Sequence, residues 1–487
     1  MSAVALALMG AYLLVTLGIG VYGYRRTGTS PHEYFLAGGS LGRLVFPLTM
    51  FATLMSAFVF LGSAGFGYRH GLGWLALLGV EALAVVPLAV VGLRAFRLSR
   101  REGYVTPTEM LGDLLGSDAV KLLVVAVQFA WAIPYVAIQA MGGGIIFRTI
   151  SGGSVSFTAG AAVVTVVTAV YLGLGGLRSV AWSDALQGLT VVVLLVAALV
   201  FVVPAVEPLA LTRRVAAETD RFTQVGQAGL FTPRVWLSFL LMNTMAVVAY
   251  PQLFQRFFAA TDERSFRALL AWWPVMVLLA AVVPTLLGVW GGTVLPGLET
   301  PDQVVPALLQ AYTPSVVVGV VMGGALAAMM STADSLVLTL SSLVTRDIYH
   351  DHVAGPASDD RTEVWVSRGV AVALLAGGFG LAHAATGRVP GVAAVGTIVD
   401  LSVYFIQGNA LLLPVFLAAL YWRGATAAGA VAAVVAGQGY FLGATFAGLP
   451  TFRFLPFVPA LAVTVLALGV GSLLTDRTPT VRSEPDA

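Results

Sequence analysis

Apolar segments about as long as a membrane is thick recur along the whole chain. Hydrophobic residues make up 58% of its 487 residues and charged residues only 10%, whereas an average soluble domain carries about 25% charged residues. A transmembrane helix needs about 20 apolar residues. Thirteen segments meet this requirement: 4–23, 44–68, 73–96, 119–147, 155–175, 184–206, 234–257, 267–293, 314–344, 364–386, 391–421, 424–446 and 454–475. The sequence therefore predicts an all-α integral membrane protein with about thirteen transmembrane helices in a lipid bilayer.

The basic residues predict the orientation of these helices. An odd number of spans places the two termini on opposite sides. With the N-terminus outside, 18 of the 26 Lys and Arg residues fall on the inner side and 8 on the outer side. Cytoplasmic loops carry the excess of positive charge, so we expect a multi-pass protein of the cell (plasma or inner) membrane with a cytoplasmic C-terminus. The first segment lacks a basic region and a cleavage site, so we expect it to be retained rather than removed as a signal peptide.

Two spans contain residues that interrupt helices. The second contains Gly62, Gly65 and Gly67, and the seventh contains Pro251; proline removes a backbone hydrogen bond and glycine loosens a helix. Because the two spans lie five apart, each can open one of two inverted five-helix repeats, and broken helices at matching positions mark many transporter sites. The predicted units are an N-terminal helix with a cytoplasmic loop (1–43), a first repeat (44–206), an extracellular loop (207–233), a second repeat (234–421) and two C-terminal helices with a short tail (422–487).

A stripe of small and hydroxyl residues marks the ninth span. Ala328, Ser331 and Thr332 lie at i, i+3 and i+4, and Asp334 and Ser335 continue the stripe from Ser331, so these residues share one helix face. Oxygen ligands of this kind suit a small hard cation. Hydroxyl groups can instead bond back to their own helix, and the residues alone leave that alternative open. We interpret the stripe as a sodium site that couples ion movement to solute movement.

Several motifs together resemble a known family. They are PHEYFLAGGSLG (31–42), LTMFATLMSAFVFLGSAGFGYRHGLGW (48–74), GGLRSVAWSDALQG (175–188), YPQLFQRFFAA (250–260) and AAMMSTADSLVLTLSSLVTRDIY (327–349). In this combination the chain resembles the sodium:solute symporter family, which includes bacterial pantothenate and proline permeases and sodium–sugar cotransporters. The resemblance is strongest to the pantothenate type, and it implies the inverted-repeat fold with broken first helices.

The resemblance also implies where the ions bind. Sodium would be held by the backbone carbonyls of Ala52, Met55 and Ala328 and by the hydroxyls of Ser331 and Thr332. A broken helix frees such carbonyls, and five neutral oxygens can replace much of the hydration shell of the ion.

A second cation would be held by Asp184 together with Asp334 and Ser335, where the carboxylate of Asp334 replaces the hydroxyl that is more usual in the family. Asp184 alone could also serve only to begin a helix. The sequence leaves open whether one ion or two are bound, and whether a proton replaces sodium.

The solute is expected to contact polar and aromatic residues near the middle of the membrane. The candidates are Thr53, Ser56, Glu81, Gln128, Trp131, Gln139, Asn243, Tyr250 and Tyr404. Gln139 ranks first because it precedes Gly142, Gly143 and Gly144, which permit close helix approach. Leu54 stands where the resemblance implies an aspartate in proline permeases, which disfavours proline. The sequence is compatible with a small organic solute of the pantothenate, monocarboxylate or amino acid type.

Other functions are less compatible with the sequence. There are no cysteines, so disulfides and thiolate metal sites are excluded. No phosphate-binding loop or basic aromatic patch points to ATP or nucleic acid, and no obligatory protein partner is evident. A membrane enzyme and a sensor on the same scaffold remain alternatives, as does proton coupling. We expect the cluster of Asp347, His350, Asp351 and His352 to be a solvated loop, and Glu81 and Asp400 to be intramembrane carboxylates of open role.

Overall fold

The computed structural model describes residues 2–24, 31–218, 230–355, 359–385 and 397–476. These residues form helices, and the one strand-like feature in these ranges is an isolated bridge between Leu41 and Ala260. The predicted all-α class is therefore confirmed for the chain as described.

Apolar helices of membrane-spanning length account for most of this part of the chain. The long ones are Gly73–Glu102, Asp118–Ile150, Glu263–Val294, Ser315–Ala354, Asp360–Ala384, Ile398–Tyr421 and Ala427–Phe446. Two bent pairs add Val45–Leu54 with Phe58–His70 and Pro233–Ala249 with Pro251–Ala259. Further helices are Ser2–Tyr24, Pro31–Leu36, Pro107–Leu115, Phe157–Val206, Pro208–Glu218, Val304–Tyr312 and Phe457–Leu473. These helices indicate a multi-pass membrane protein. The count of thirteen spans stays a prediction.

The helix Phe157–Val206 differs from the sequence prediction. It runs for 50 residues, although two separate spans, 155–175 and 184–206, were predicted. The connecting residues 176–183 contain no proline, so nothing there removes a backbone donor and ends the helix. Helix Pro208–Glu218 also lies inside the predicted extracellular loop. Residues outside the described ranges include 219–229 of that loop, the start of the predicted span 391–421 and the tail from residue 477.

Two broken helices are the main irregular elements. The first broken helix, Val45–Leu54 with Phe58–His70, bends by 60°, and the second, Pro233–Ala249 with Pro251–Ala259, bends by 46°. Pro251 begins the second half of its helix, as expected for a residue without an amide hydrogen.

The glycines of the first broken helix do not form its break. The chain leaves helical geometry at Met55, which is extended, whereas Gly65 and Gly67 lie inside helix Ser63–His70. A Cβ built on Gly67 would lie 2.8 Å from the carbonyl oxygen of Thr285. These glycines therefore permit close packing of neighbouring helices, and the prediction that they interrupt the span was wrong.

The helix Ser315–Leu343 carries the predicted hydroxyl stripe, and we call it the hydroxyl helix. Its residues from Val321 to Leu343 are buried throughout. Glycine brings its neighbours close: a Cβ built on Gly319 would lie 2.9 Å from the Cα of Ala5, and one on Gly142 would lie 2.6 Å from the sulfur of Met329. This close packing places the stripe in the centre of the bundle, facing the first broken helix.

The chain after the hydroxyl helix does not form the predicted solvated loop. Residues Val344–Ala354 continue as a wide helical turn. Asp347 is buried and accepts a hydrogen bond of 2.9 Å from Thr106, while Lys121 contacts Asp351 at 2.6 Å. No group of metal-ligand side chains occurs among the described residues. The cluster thus ties the hydroxyl helix to the helices that begin at residues 107 and 118.

Candidate ion and solute sites

The break in the first broken helix frees its own carbonyl groups. In a continuous helix the carbonyl of Thr53 would accept from the amide of Ala57, and that of Met55 from the amide of Val59. Instead the Ala57 amide donates to Oε1 of Gln139 at 2.9 Å, and the Val59 amide points to the hydroxyl of Ser56 at 3.4 Å. Side chains therefore satisfy the donors, and the carbonyls remain for other partners.

Two hydroxyls of the hydroxyl helix point at carbonyls beside this break, of which that of Ala52 also accepts from the amide of Met55 at 3.1 Å. The hydroxyl of Ser331 lies 2.9 Å from the carbonyl oxygen of Ala52, and that of Thr332 lies 2.7 Å from the carbonyl oxygen of Met55. Both hydroxyls also lie within reach of the carbonyl oxygen of Ala328, at 2.9 Å and 3.2 Å. All five residues are at most 2% exposed. The structure thus brings together the five oxygens that the sequence analysis grouped.

This oxygen cluster has nearly the dimensions of a coordination shell. Hard cations take oxygen ligands at about 2.4 Å, which separates adjacent ligands by about 3.4 Å in octahedral geometry. The oxygen–oxygen distances of 2.7–3.2 Å are shorter by a few tenths of an ångström because hydroxyl hydrogens bridge them. A cation needs only rotation of the two hydroxyls and a slight expansion of the cluster.

A second polar cluster lies one helical turn further along the hydroxyl helix. The guanidinium of Arg256 donates to Oδ2 of Asp184 at 2.8 Å, to the hydroxyl of Ser335 at 2.5 Å and to that of Thr49 at 3.1 Å. Ser335 in turn donates to Oδ1 of Asp334 at 3.1 Å. Arg256 and Asp184 are 1% and 0% exposed, so this is an ion pair buried within the bundle.

Arg256 is a site residue that sequence reasoning missed. It was counted only as an inner-side charge, although it falls inside the predicted span 234–257. A charged residue within a span is costly and normally has a partner or a function. That signal was present, but the partner, Asp184, is 72 residues away and could not be identified from spacing.

Three stacked rings connect the two helix breaks. Tyr135 donates to the hydroxyl of Ser56 at 3.0 Å, beside the first break. Its ring stacks on Phe405 at 4.1 Å between centroids, and Phe405 stacks on Tyr250 at 4.8 Å. Tyr250 is the residue at which the second broken helix bends. Ser56 and Tyr250 were sequence candidates, whereas Tyr135 and Phe405 were missed because an aromatic residue in a membrane helix is most often packing.

The other solute candidates divide into those near this stack and those engaged elsewhere. Glu81 is 7% exposed and lies near enough to Tyr135 and Tyr250 to interact electrostatically. Thr53 lies 3.3 Å from the hydroxyl of Ser335, so it belongs to the ion clusters. Gln128 is fully buried, and its amide has no hydrogen-bond partner among the described residues.

Four candidates hold helices in place instead. Both ends of the Gln139 side chain are used, by the Ala57 amide and by the carbonyl of Tyr135 at 3.0 Å. Asn243 donates to the carbonyl of Leu77 at 3.0 Å. Trp131 and Tyr404 contact the helix Ala427–Phe446, Trp131 through a 2.9 Å hydrogen bond to Gln438 and Tyr404 through the ring of Phe446.

Asp400 lies nearer the surface than the sequence analysis expected. It is exposed and caps the helix that begins at Ile398, accepting from the Thr397 amide at 2.8 Å. It is therefore not buried inside the bundle.

An oxygen-lined cluster at a helix break, inside a bundle with a second broken helix, defines an ion-coupled secondary transporter. The model of the sodium:solute symporter family matches residues 34–437. The chain belongs to the sodium:solute symporter family, and it couples solute transport to sodium. The family and the relatives below are transporters.

Similar proteins cover nearly the whole chain. A sodium/pantothenate symporter of Escherichia coli is 28% identical over 471 residues, which is 95% of each chain. A sodium/pantothenate symporter of Haemophilus influenzae is 26% identical and covers 96% of this chain and 95% of its own. A sodium/proline symporter of Haemophilus influenzae is 25% identical. The solved structure of a sodium-coupled sialic acid symporter has a TM-score of 0.81 at 18% identity and covers 98% of this chain and 99% of its own. That last likeness supports the fold.

Proposed function

We propose that the protein imports pantothenate together with sodium. The observation that carries this proposal is the match, over about 95% of the chain, to two relatives named sodium/pantothenate symporters. Leu54, which is buried beside the first break, agrees with this choice because the family resemblance implies an aspartate there in proline permeases.

The solute site in this proposal is the region between the two helix breaks. The rings of Tyr135, Phe405 and Tyr250 provide apolar faces, while the two tyrosine hydroxyls, Ser56 and Glu81 provide polar groups. Small-molecule sites are typically apolar with a few placed polar groups. Pantothenate carries two methyl groups, two hydroxyls, an amide and a carboxylate, which suits such a mixed lining.

The ion site in this proposal is the five-oxygen cluster beside the first break. Sodium would be held by the carbonyls of Ala52, Met55 and Ala328 and by the hydroxyls of Ser331 and Thr332. Because its ligands come from two different helices, a bound ion favours the arrangement in which both helices are together. The solute then meets a formed site, and each ligand raises the affinity for the other.

We also propose that the N-terminus faces outward and the C-terminus the cytoplasm, in the plasma or inner membrane. The excess of basic residues on the inner side supports this orientation. Six of those counted lie outside the described residues: Arg25, Arg26, Arg221, Arg388, Arg477 and Arg482.

Uptake of labelled pantothenate into proteoliposomes tests the proposal. An inward sodium gradient should produce accumulation, and an equal potassium gradient should not. Excess unlabelled pantothenate should abolish uptake of the label, whereas excess proline should leave it unchanged. Sodium-driven uptake of proline without uptake of pantothenate would overturn the proposed solute but not the sodium coupling.

A further inference from the structure

We propose that the protein has a second solute-binding site, beyond the ring stack on the path to the cytoplasm, formed by Gln128, Asn409 and the backbone carbonyl of Ala410. We call it the release site. It binds a neutral part of the solute that carries hydroxyl or amide hydrogens. This inference rests on the proposed function and adds a step at which the solute pauses before it leaves the protein.

Two fully buried side-chain amides at this place have atoms without hydrogen-bond partners. Gln128 is 0% exposed, and neither its Oε1 nor its Nε2 has a partner among the described residues. Asn409 is also 0% exposed; its Nδ2 donates to the carbonyl of Phe405 at 2.9 Å, but its Oδ1 has no partner in the same part of the chain. An unpaired polar group is unfavourable inside a protein, so a ligand that pairs with these atoms gains affinity.

The two amides lie on helix faces that are turned towards each other. Tyr135 and Phe405 stack across the interface between their helices. Gln128 is seven residues from Tyr135, and Asn409 is four residues from Phe405; residues at both spacings share one helix face. Each amide is therefore on the same face as a ring of the stack, one or two helical turns away.

The two helices are antiparallel and in close contact beyond the stack. One turn from it, the ring of Trp131 lies so close to Gly408 that no Cβ would fit there. The residue number falls along one helix as it rises along the other, so Gln128 lies at the level of residues 409–412. The two amides are thus at nearly the same depth in the bundle.

The helix that carries Asn409 is interrupted at this level. Helix Ile398–Ala410 ends and helix Leu413–Tyr421 begins on either side of residues 411–412. Pro414 has no amide hydrogen, so the buried carbonyl of Ala410 lacks the donor that a continuous helix would provide. Transporters commonly bind their ligands where a broken helix frees backbone groups, and this break adds an acceptor to the two amides.

The release site lies on the proposed cytoplasmic side of the ring stack. Helix Ile398–Ala410 begins beside the outer half of the first broken helix, where a Cβ built on Gly62 would lie 3.1 Å from the side chain of Ile398. In the proposed orientation this helix runs inward, so Asn409 is nearer the cytoplasm than Phe405. A solute that leaves the site between the two breaks towards the cytoplasm passes the stack and then meets the two amides.

The chemistry of these groups selects the part of the solute that binds. Oδ1 of Asn409 and the carbonyl of Ala410 only accept hydrogen bonds, whereas the amide of Gln128 both donates and accepts. None of the three is charged. Pantothenate supplies matching donors through its two hydroxyls and its amide, but not through its carboxylate. Water also supplies donors, and the experiment separates hydration from solute binding.

Exchange of labelled pantothenate across proteoliposomes of uniform orientation provides the test. The internal and external concentrations that give half-maximal exchange are measured separately. Gln128→Met keeps the length of the side chain and removes its amide. We expect the internal value to rise about two- to twelvefold, as for one lost hydrogen bond, and the external value to change less than about twofold. Gln128→Asn keeps an amide and should recover part of the loss.

The matched control is Gln407→Met. Gln407 is on the same helix as Asn409, but both ends of its amide are used, by the carbonyl of Val403 at 3.3 Å and by the amide of Phe457 at 3.1 Å. This variant should lose thermal stability and leave both half-maximal concentrations unchanged. An equal rise of the internal value in Gln407→Met and Gln128→Met would refute the release site.

A pantothenate analogue with one hydroxyl replaced by hydrogen tests which group is recognised. With the wild-type protein its affinity should fall further on the internal side than on the external side, and in Gln128→Met this difference should disappear. Equal losses on both sides of the wild-type protein would overturn the inference, even if no variant reaches the membrane. So would a Gln128→Met variant with unchanged internal affinity for pantothenate (hydration only) or with altered affinity for sodium alone. Absence of sodium-driven pantothenate uptake by the wild type would instead remove the proposed function.

Discussion

The side-chain oxygen of Gln139 accepts a hydrogen bond of 2.9 Å from the amide of Ala57, the first residue after the break in the first broken helix. Gln139 lies on helix Asp118–Ile150, so a different helix stabilises the break. This contact removes the donor that would otherwise occupy the carbonyl of Thr53, which lies 3.1 Å from the hydroxyl of Thr332 beside the proposed sodium site. The break is thus held open by a side chain that sequence analysis had assigned to the solute.

Gln139→Leu should destabilise the protein and weaken sodium binding together. The substitution leaves the buried Ala57 amide without an acceptor, which costs about 1–3 kcal/mol. Thermal unfolding in detergent and the sodium dependence of uptake measure the two effects. Gln139→Glu, which retains an acceptor, is the matched control. It should lose less stability and less sodium dependence than Gln139→Leu. A rise in pantothenate KM with normal stability and sodium dependence would show that Gln139 contacts solute instead.

Phe405→Ala should weaken solute binding and leave the sodium dependence of uptake unchanged. Phe405 lies between the rings of Tyr135 and Tyr250, and an aromatic pair contributes about 0.5–1.5 kcal/mol beyond its buried area. Two such pairs are lost, so pantothenate KM should rise by about tenfold or more. Phe416→Ala, which removes a ring stacked on Phe254, is the control for general loss of packing. An equal effect of both variants would argue against a solute site at the stack.

The end of the bundle that contains Asp302 should lose stability as the pH rises towards 7. Asp302 lies in a short turn between two membrane helices, where burial raises its pKa from the model-peptide value of 3.8 to about 7; nearby Arg69 opposes the shift and Asp400 adds to it. Because the folded state binds the proton more tightly, stability is full below pH 4, falls between about pH 4 and 7, and levels off above 7.

Asp302→Asn should flatten this dependence and raise the melting temperature at pH 8 while leaving it nearly unchanged at pH 4. Thermal unfolding across this pH range is the measurement, and Glu299→Gln in the same loop is the control. An unchanged slope in the Asp302 variant would show that other groups cause the effect.

Periodicity in the sequence was sufficient to group residues that lie on the same face of one helix. The spacing of Ser331, Thr332 and Asp334 placed them on one face, and the structure has them buried on the hydroxyl helix. The facing carbonyls of Ala52 and Met55 came from the family resemblance, because backbone groups leave no mark in a hydropathy pattern.

Contacts between distant segments explain what the sequence could not show. The pair of Asp184 and Arg256, and the stack of Tyr135 on Phe405, join residues far apart in the chain. The glycine error has a related cause: Gly67 is needed by the neighbouring backbone of Thr285, and a glycine required by a neighbour looks the same in sequence as one required by a bend.

The most direct test of the sodium site is the double variant Ser331→Ala with Thr332→Val. It removes the two hydroxyls that lie 2.9 Å and 2.7 Å from the carbonyls of Ala52 and Met55. The control is Thr445→Val, whose hydroxyl donates only to its own helix. We predict that pantothenate uptake by the double variant falls to the level seen without sodium, while the control responds normally. Full sodium stimulation of the double variant would contradict the proposed ion site.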